Sequence, residues 1–184
     1  MTASPRDLRR DKRGSVLVEF AIILPVMVAL FFGVFEGTRA IRARMSMSNA
    51  AAAYADMIAM QGSLTPAQLA NFCDGARLVM YPFSTETFAA AVSSVTNSPD
   101  QGVVAEDWHD TTHCGVAAAV SSPTTVAVSP TNMVPHAGDS VIIVRVTYSY
   151  RSSIHVILPG RFTFTQTVFA RPRSNAVISC SECS

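Results

Sequence analysis

The chain has little charge and only one long apolar run. Charged residues make up 15% of its 184 residues, whereas about a quarter is usual in soluble proteins. Basic and acidic residues nearly balance, 14 against 13. The composition therefore lacks both the high charge of a disordered chain and the basic excess of a nucleic-acid binder. Hydrophobic residues make up 49%, and their distribution along the chain decides what kind of protein this is.

The sequence also lacks the motifs of common enzyme classes. It has no G-x-S-x-G elbow, no phosphate-binding glycine loop and no H-E-x-x-H pair. Its histidines have no evident carboxylate and nucleophile beside them: His109, His113, His136 and His155. We interpret the acidic patch of Glu106, Asp107 and Asp110 as a solvated loop rather than an acid/base or calcium site. We expect a protein that acts by binding, without catalytic residues and without a cofactor.

The apolar run covers residues 16–35, VLVEFAIILPVMVALFFGVF, and contains one charge, Glu19, and one proline, Pro25. A helix of about 20 residues is about 30 Å long and matches the hydrocarbon core of a bilayer. The run therefore predicts a single transmembrane helix. It is too long and too uniformly apolar for a buried core helix. It is also longer than the apolar region of a signal peptide, whose cleavage site here would be Thr38-Arg39-Ala40.

The basic residues around the run favour one orientation. Five Lys and Arg residues precede the run, and three follow within nine residues of its end: Arg39, Arg42 and Arg44. The positive-inside rule then places the N-terminus in the cytoplasm and the larger, C-terminal part outside. A carboxylate inside a membrane span is costly and marks a function. Because one span cannot form a proton pathway alone, we expect Glu19 to find a positive partner in another chain during assembly.

The order of residues around Glu19 is specific. A basic tail ends at Arg13, and the positions that follow are Gly14, Val18-Glu19-Phe20-Ala21, Pro25, Leu30, Gly33 and Glu36. This layout resembles type IV prepilins, and in particular the TadE/TadF group of pseudopilins from tight-adherence (Flp, type IVc) pilus systems. The pattern RG-x3-VEFA-x3-P-x4-L-x2-G-x2-E covers residues 13–36. Gly37-Thr38 departs from this pattern, in which an aromatic or small residue is expected to lead into an arginine. The arginine itself is present as Arg39.

The resemblance implies roles for individual residues. Gly14 would end a leader, residues 1–14, removed by a prepilin peptidase at the cytoplasmic face, and Ser15 would become the mature N-terminus. Glu19 would neutralise the terminal amine of a neighbouring subunit and, with a helix kink at Pro25, set subunit register. Glu19 and Phe20 would also belong to the processing site with Gly14 and Ser15, and Phe20 would help fix the recognition register. Taken singly, Gly14 also fits a loop glycine, Glu19 a snorkelling residue and Pro25 an ordinary membrane-helix proline.

The resemblance also implies a location and partners. The protein would lie in the bacterial inner membrane, with its head extracytoplasmic, and would contact membrane lipid, the peptidase, the major pilin, other pseudopilins and the inner-membrane assembly platform. An uncleaved single-pass scaffold of the same machinery is the alternative. The tail, with Leu158-Pro159-Gly160 and Ala170-Arg171-Pro172-Arg173, resembles that of TadE-like proteins less specifically.

The helix is predicted to continue beyond the membrane. No proline occurs between residues 36 and 60, and Met47, Ala51, Tyr54 and Ile58 fall on one helical face. Gln61-Gly62-Ser63 ends the pattern. We predict a helix over 15–60 and a head over 61–184. The fold class is α+β, a pilin-like long N-terminal transmembrane helix packed on a small antiparallel sheet.

The head begins with a capping box, and after it apolar and polar residues alternate with a period of two. Thr65-Pro66-Ala67-Gln68 predicts a short helix that ends near Cys73 or Ala76. Alternation predicts strands at 88–96, 103–108, 124–129, 140–151, 154–158 and 161–171, with a turn at Pro159-Gly160. The stretches 96–101 and 121–138 are predicted to be mostly loop.

Four cysteines lie on the predicted outer side: Cys73, Cys114, Cys180 and Cys183. In an oxidising compartment an even number predicts disulfides, and the sequence does not choose among the three pairings. A zinc site of His109, His113, Cys180 and Cys183, with Cys114 nearby, is the alternative, as is a redox role for Cys180 and Cys183. That alternative would make the head an anchored metal-binding or redox domain.

Overall fold

The computed structural model describes residues 15–98, 103–152, 160–173 and 177–183. The helices of this part are α1 Ser15–Ala59, α2 Pro66–Val79 and α3 Pro123–Val128. Its strands are β1 Ser63–Leu64, β2 Ala89–Asn97, β3 Val104–Asp110, β4 Ser140–Arg151, β5 Arg161–Ala170 and β6 Ser179–Cys180. Of the described residues, those up to Ala40 group with Ser152 and Gly160 in one compact unit, and the others form a second unit.

Helix α1 ends one residue before the end predicted from sequence. It runs through Pro25 as a single helix, and its second half is rich in alanine, the strongest helix former. At its end the backbone N–H of Gln61 donates to the carbonyl of Ile58, and the chain turns at Gln61-Gly62. The prediction of a long N-terminal helix with an antiparallel sheet, an α+β fold, is confirmed.

The apolar stripe on the second half of α1 is also confirmed. Met47, Ala51, Tyr54 and Ile58 are all fully buried. The Tyr54 hydroxyl donates a 3.3 Å hydrogen bond to the backbone carbonyl of α2 at Leu69. The stripe is thus core of the second unit, as expected for a helix with apolar residues on one face.

Helix α2 starts with the predicted capping box. The Thr65 hydroxyl accepts a hydrogen bond from the Gln68 backbone N–H, and the Gln68 side chain accepts one from the Thr65 N–H. Pro66 occupies the first turn, where no N–H is needed. The helix extends three residues beyond Ala76, and its buried residues are Leu69, Cys73 and Ala76.

The main sheet has four antiparallel strands in the order β3-β2-β4-β5. The central strand β2 is buried on both faces from Ala90 to Thr96, whereas β5 is half-exposed along its length. The strands predicted at 88–96, 103–108, 140–151 and 161–171 are confirmed within two residues at either end. The strand predicted at 154–158 lies outside the described residues.

The strand predicted at 124–129 is wrong, because this segment forms helix α3. Its alternating Thr and Val residues resemble a strand, but Pro123 fixes the backbone φ at a value suited to a first helical turn. The single buried residue of α3, Ala127, packs in a cluster with Val95, Val141 and Ile143 of the sheet. Packing on the sheet overrides the local alternation here.

Candidate functional site

The first half of α1 exposes its apolar side chains. All the large apolar residues between Val16 and Phe35 are exposed, for example Leu17 at 73% and Phe31 at 66%. Among the described residues, α1 is the one helix long and apolar enough to cross a membrane. A buried core helix would have these side chains covered. The helix therefore has the length, composition and exposure of a membrane anchor.

The predicted recognition residues lie at the start of this helix. Gly14 lies outside the described residues, and of Ser15 only the helical backbone is described. Glu19 and Phe20 are exposed on the helix surface. No carboxylate–cation pair in the described part of the chain includes Glu19. Its side chain is thus accessible to a group from another chain.

Pro25 lies within the helix rather than at its end. Proline has no N–H, so the carbonyl of Ala21 has no helical donor four residues along. In hydrocarbon such a carbonyl is satisfied by a local adjustment of the helix or by a neighbour. The kink expected from sequence remains a prediction.

Just after the apolar segment, Glu36 is fully buried. The hydroxyl of Ser152, which is also buried, donates a 2.8 Å hydrogen bond to Glu36 Oε2. The sequence shows Glu36 as part of the motif but does not predict this pairing. The signal it contained was a carboxylate at the end of an apolar run, but its partner is 116 residues away along the chain.

The departure from the motif at Gly37-Thr38 is accommodated locally. The Thr38 hydroxyl donates a 2.8 Å hydrogen bond to the Val34 carbonyl of the preceding turn, a common arrangement for threonine inside a helix. The Arg39 guanidinium lies 5.9 Å from the centre of the Phe35 ring, within cation–π range. The helix therefore continues through this position without interruption.

The four cysteines form two disulfides, Cys73–Cys114 and Cys180–Cys183. The first joins α2 to the segment after β3, across 41 residues, and both of its cysteines are buried. The second closes a loop of only three residues' separation beside β6. The tertiary structure thus selects one of the three pairings that the sequence left open.

The alternative metal ligands are not brought together. Cys180 and Cys183 are bonded to each other, and the two histidines have different carboxylate partners. His113 Nδ1 lies 2.5 Å from Asp110 Oδ1, whereas His109 Nδ1 lies 3.6 Å from Glu106 Oε1. In the described ranges, no group of three or more His, Cys, Asp or Glu residues could hold a metal ion.

The acidic patch expected in a solvated loop lies on strand β3 instead. The hydroxyl of Ser93 donates to Glu106, and those of Ser94 and Thr96 donate to Asp107. The pairing of β2 with β3 shifts register between Ser94 and Val95, next to these contacts. Asp110 is buried and accepts from the His113 backbone N–H. Hydrogen bonds thus join Glu106 and Asp107 to strand β2, and Asp110 to the turn after β3.

The sequence model of the TadE-like protein family matches residues 14–56. The matched segment contains Glu19, Phe20, Pro25 and Glu36 and ends within the buried stripe of α1. The resemblance predicted from residues 13–36 is therefore confirmed for this part of the chain, and the softer likeness of the tail lies outside the match. No curated protein and no solved structure is significantly similar to the chain.

Proposed function

We propose that the protein is a minor pseudopilin that acts in the assembly of tight-adherence (Flp, type IVc) pili. The observation that carries the proposal is the TadE-like match over residues 14–56, which coincides with an exposed apolar helix that has Glu19 near its start. Its action is binding rather than catalysis, with no cofactor. The partners are the major pilin, other pseudopilins and the inner-membrane assembly platform.

The first step of this function is cleavage by a prepilin peptidase. Water would hydrolyse the peptide bond between Gly14 and Ser15, which leaves a carboxylate on Gly14 and a free amine on Ser15. The leader removed carries five of the 14 basic and two of the 13 acidic residues. The mature chain would therefore have nine basic and eleven acidic residues, so its net charge changes sign.

Cleavage gives Glu19 its role. A terminal amine held close to the bilayer is as costly to bury as a carboxylate, and pairing the two compensates both. Glu19 is exposed and has no cation partner among the described residues. The amine of a neighbouring subunit would supply the partner and would set the register between adjacent helices.

Intact mass of the membrane-extracted protein tests the cleavage. In cells that contain the peptidase, the mass should correspond to residues 15–184, and Gly14→Leu should restore the full-length mass. Gly37→Leu is the matched control, because a Cβ at Gly37 has nothing within 4 Å apart from the adjoining residues and the backbone of its own helix, and it should be cleaved normally. An intact N-terminus in peptidase-containing cells would instead identify the uncleaved scaffold.

A second variant separates cleavage from assembly. Glu19→Gln keeps the size of the side chain but removes its charge, so we expect its cleaved form, identified by intact mass, to lose co-purification with pilus subunits. Glu182→Gln, at an exposed position near the C-terminus, should leave both unchanged. Normal co-purification of the Glu19→Gln variant would contradict the charge-pairing role.

A further inference from the structure

The two disulfides differ in how far solvent reaches them. Cys73 is 1% exposed and Cys114 0% exposed, so this bridge is closed to molecules in solution. Cys180 and Cys183 are only partly buried, and both residues between them are exposed. Exchange of a disulfide requires a thiolate to reach and attack one of its sulfur atoms. The second bridge is therefore open to exchange, whereas the first is not.

The fold depends little on the Cys180–Cys183 bridge. Its cysteines are only three positions apart in the chain, and a short loop restricts the unfolded chain less than a long one. The strand before the bridge is held without the sulfur atoms, since Ile178 is fully buried and the two residues of β6 pair with Ser63 and Leu64 of β1. Reduction would thus open this bridge and leave β6 in place.

The two cysteines of this bridge lie on different kinds of backbone. Cys180 belongs to β6 and lies opposite Leu64 of β1. Cys183 follows the end of β6 and belongs to no helix or strand. Which sulfur atom is attacked depends on access, and the thiolate approaches from the side opposite the bond that breaks. Cys183 is the residue whose backbone can yield to that approach, so Cys180 is the leaving thiolate.

The close spacing of the two cysteines also decides what kind of thiol can open the bridge. Their Cα atoms are 5.4 Å apart, so a Cys180 thiolate released by the attack stays beside Cys183. It would displace a monothiol from Cys183 and close the original bridge again. A dithiol differs, because its own second sulfur atom resolves the mixed disulfide and completes the reduction.

We propose that Cys180–Cys183 is a thiol–disulfide exchange site whose substrate is a dithiol, the group carried by thioredoxin-like reducing proteins. One thiolate of the dithiol attacks Cys183 Sγ and forms a mixed disulfide, while the bond between the two Sγ atoms breaks and Cys180 leaves as a thiolate. The second thiolate of the dithiol then attacks the dithiol sulfur atom of the mixed disulfide and releases Cys183. The dithiol becomes a disulfide, and the two cysteines take up its two electrons and two protons. The proposal goes beyond the pseudopilin role and does not depend on cleavage after Gly14.

Reduction of the full-length protein in detergent compares the two bridges. Dithiothreitol serves as the dithiol and glutathione, at the same thiol concentration, as the monothiol. N-ethylmaleimide blocks the free thiols at each time point, and peptide mapping identifies them. We expect dithiothreitol to reduce the exchange site at least roughly tenfold faster than Cys73–Cys114, because access limits attack on the buried bridge. Glutathione should leave most of the exchange site closed. Fluorescence of Trp108, which is 6% exposed, should not change while the exchange site opens.

Trapping with a thioredoxin whose resolving cysteine is replaced by serine identifies the attacked sulfur atom. N-ethylmaleimide, added to stop the reaction, blocks the thiol that the attack releases. Peptide mapping of the adduct should find thioredoxin on Cys183 and N-ethylmaleimide on Cys180. The variant Cys180→Ala/Cys183→Ala should form no adduct. The matched control, Cys73→Ala/Cys114→Ala, should form the same adduct as the parent protein, whose own peptide map decides the result whether or not this control folds.

Three outcomes would overturn the proposal. Equal rates of reduction for the two bridges would show that the exchange site is no more accessible than the buried disulfide. Thioredoxin attached to another cysteine, or to none, would exclude attack at Cys183. A change in Trp108 fluorescence during selective opening would show that the bridge is a structural clamp on the segment around β6. None of these outcomes bears on the pseudopilin role, since the experiments include no peptidase and no pilus subunit.

Discussion

The indole N–H of Trp108 donates a 2.7 Å hydrogen bond to the backbone carbonyl of Ile178. This bond joins edge strand β3 to the C-terminal segment, 70 residues further along the chain. Trp108 is almost fully buried and Ile178 completely so. The last described residues of the chain are therefore held by the core of the second unit, although β6 itself has only two residues.

Trp108→Phe should destabilise the second unit. Phenylalanine keeps an aromatic ring but has no donor, so the buried carbonyl of Ile178 loses its partner, at a cost of about 1–3 kcal/mol. Urea unfolding of the full-length protein in detergent, followed by circular dichroism, would measure the loss. Val177→Ala, next to Ile178 but 37% exposed, should change stability by less than about 0.5 kcal/mol. Equal stability of both variants would contradict a structural role for this bond.

The buried stripe of α1 can be tested with two methionines two positions apart. Met47 is fully buried, whereas Met45 is 61% exposed. Met47→Ala should cost about 2–5 kcal/mol because it removes buried methylene and thioether groups and leaves a cavity. Met45→Ala should stay within about 0.5 kcal/mol of the parent protein. Urea unfolding followed by Trp108 fluorescence would measure the free energy of unfolding of both variants. Comparable losses of stability would mean that Met47 does not belong to a buried stripe.

The two disulfides should contribute unequally to stability. By the chain-entropy relation, closing the Cys73–Cys114 loop of 41 residues' separation is worth about 4 kcal/mol, and closing Cys180–Cys183, separation 3, about 2 kcal/mol. The double variant Cys73→Ala/Cys114→Ala should therefore unfold at a lower urea concentration than Cys180→Ala/Cys183→Ala. Non-reducing peptide mapping would verify the pairing, and a Cys73–Cys180 linkage would contradict it.

Asp139 should make stability pH-dependent in acid. The backbone N–H of His136, together with the His136 side chain and Arg171, lowers the pKa of Asp139 below its usual 3.8. The resulting stability is fully present above the usual pKa and is lost as the pH falls through the lower, folded-state pKa. Asp139→Asn should be less stable than the parent protein at neutral pH. The difference should shrink in unfolding measurements below pH 3.8, and a constant difference would exclude the linkage.

Much of the fold could be predicted because its signals are local. The extent of α1 follows from an apolar run joined to a stripe of period 3.6, and the start of α2 follows from Thr65 and Gln68 within four residues. The second half of β4 and the first half of β5 alternate because one face of each is more buried than the other there. The family resemblance is local too, since residues 13–36 contain all of its fixed positions.

The sequence by itself therefore determined the long apolar N-terminal helix, the resemblance to the TadE-like family and the α+β class, because composition and period are properties of neighbouring residues. Only the tertiary structure decided which cysteines pair, that residues 123–128 form a helix rather than a strand, and that Glu36 is buried with Ser152. Each of these depends on contacts between residues far apart in the chain, which local patterns do not encode.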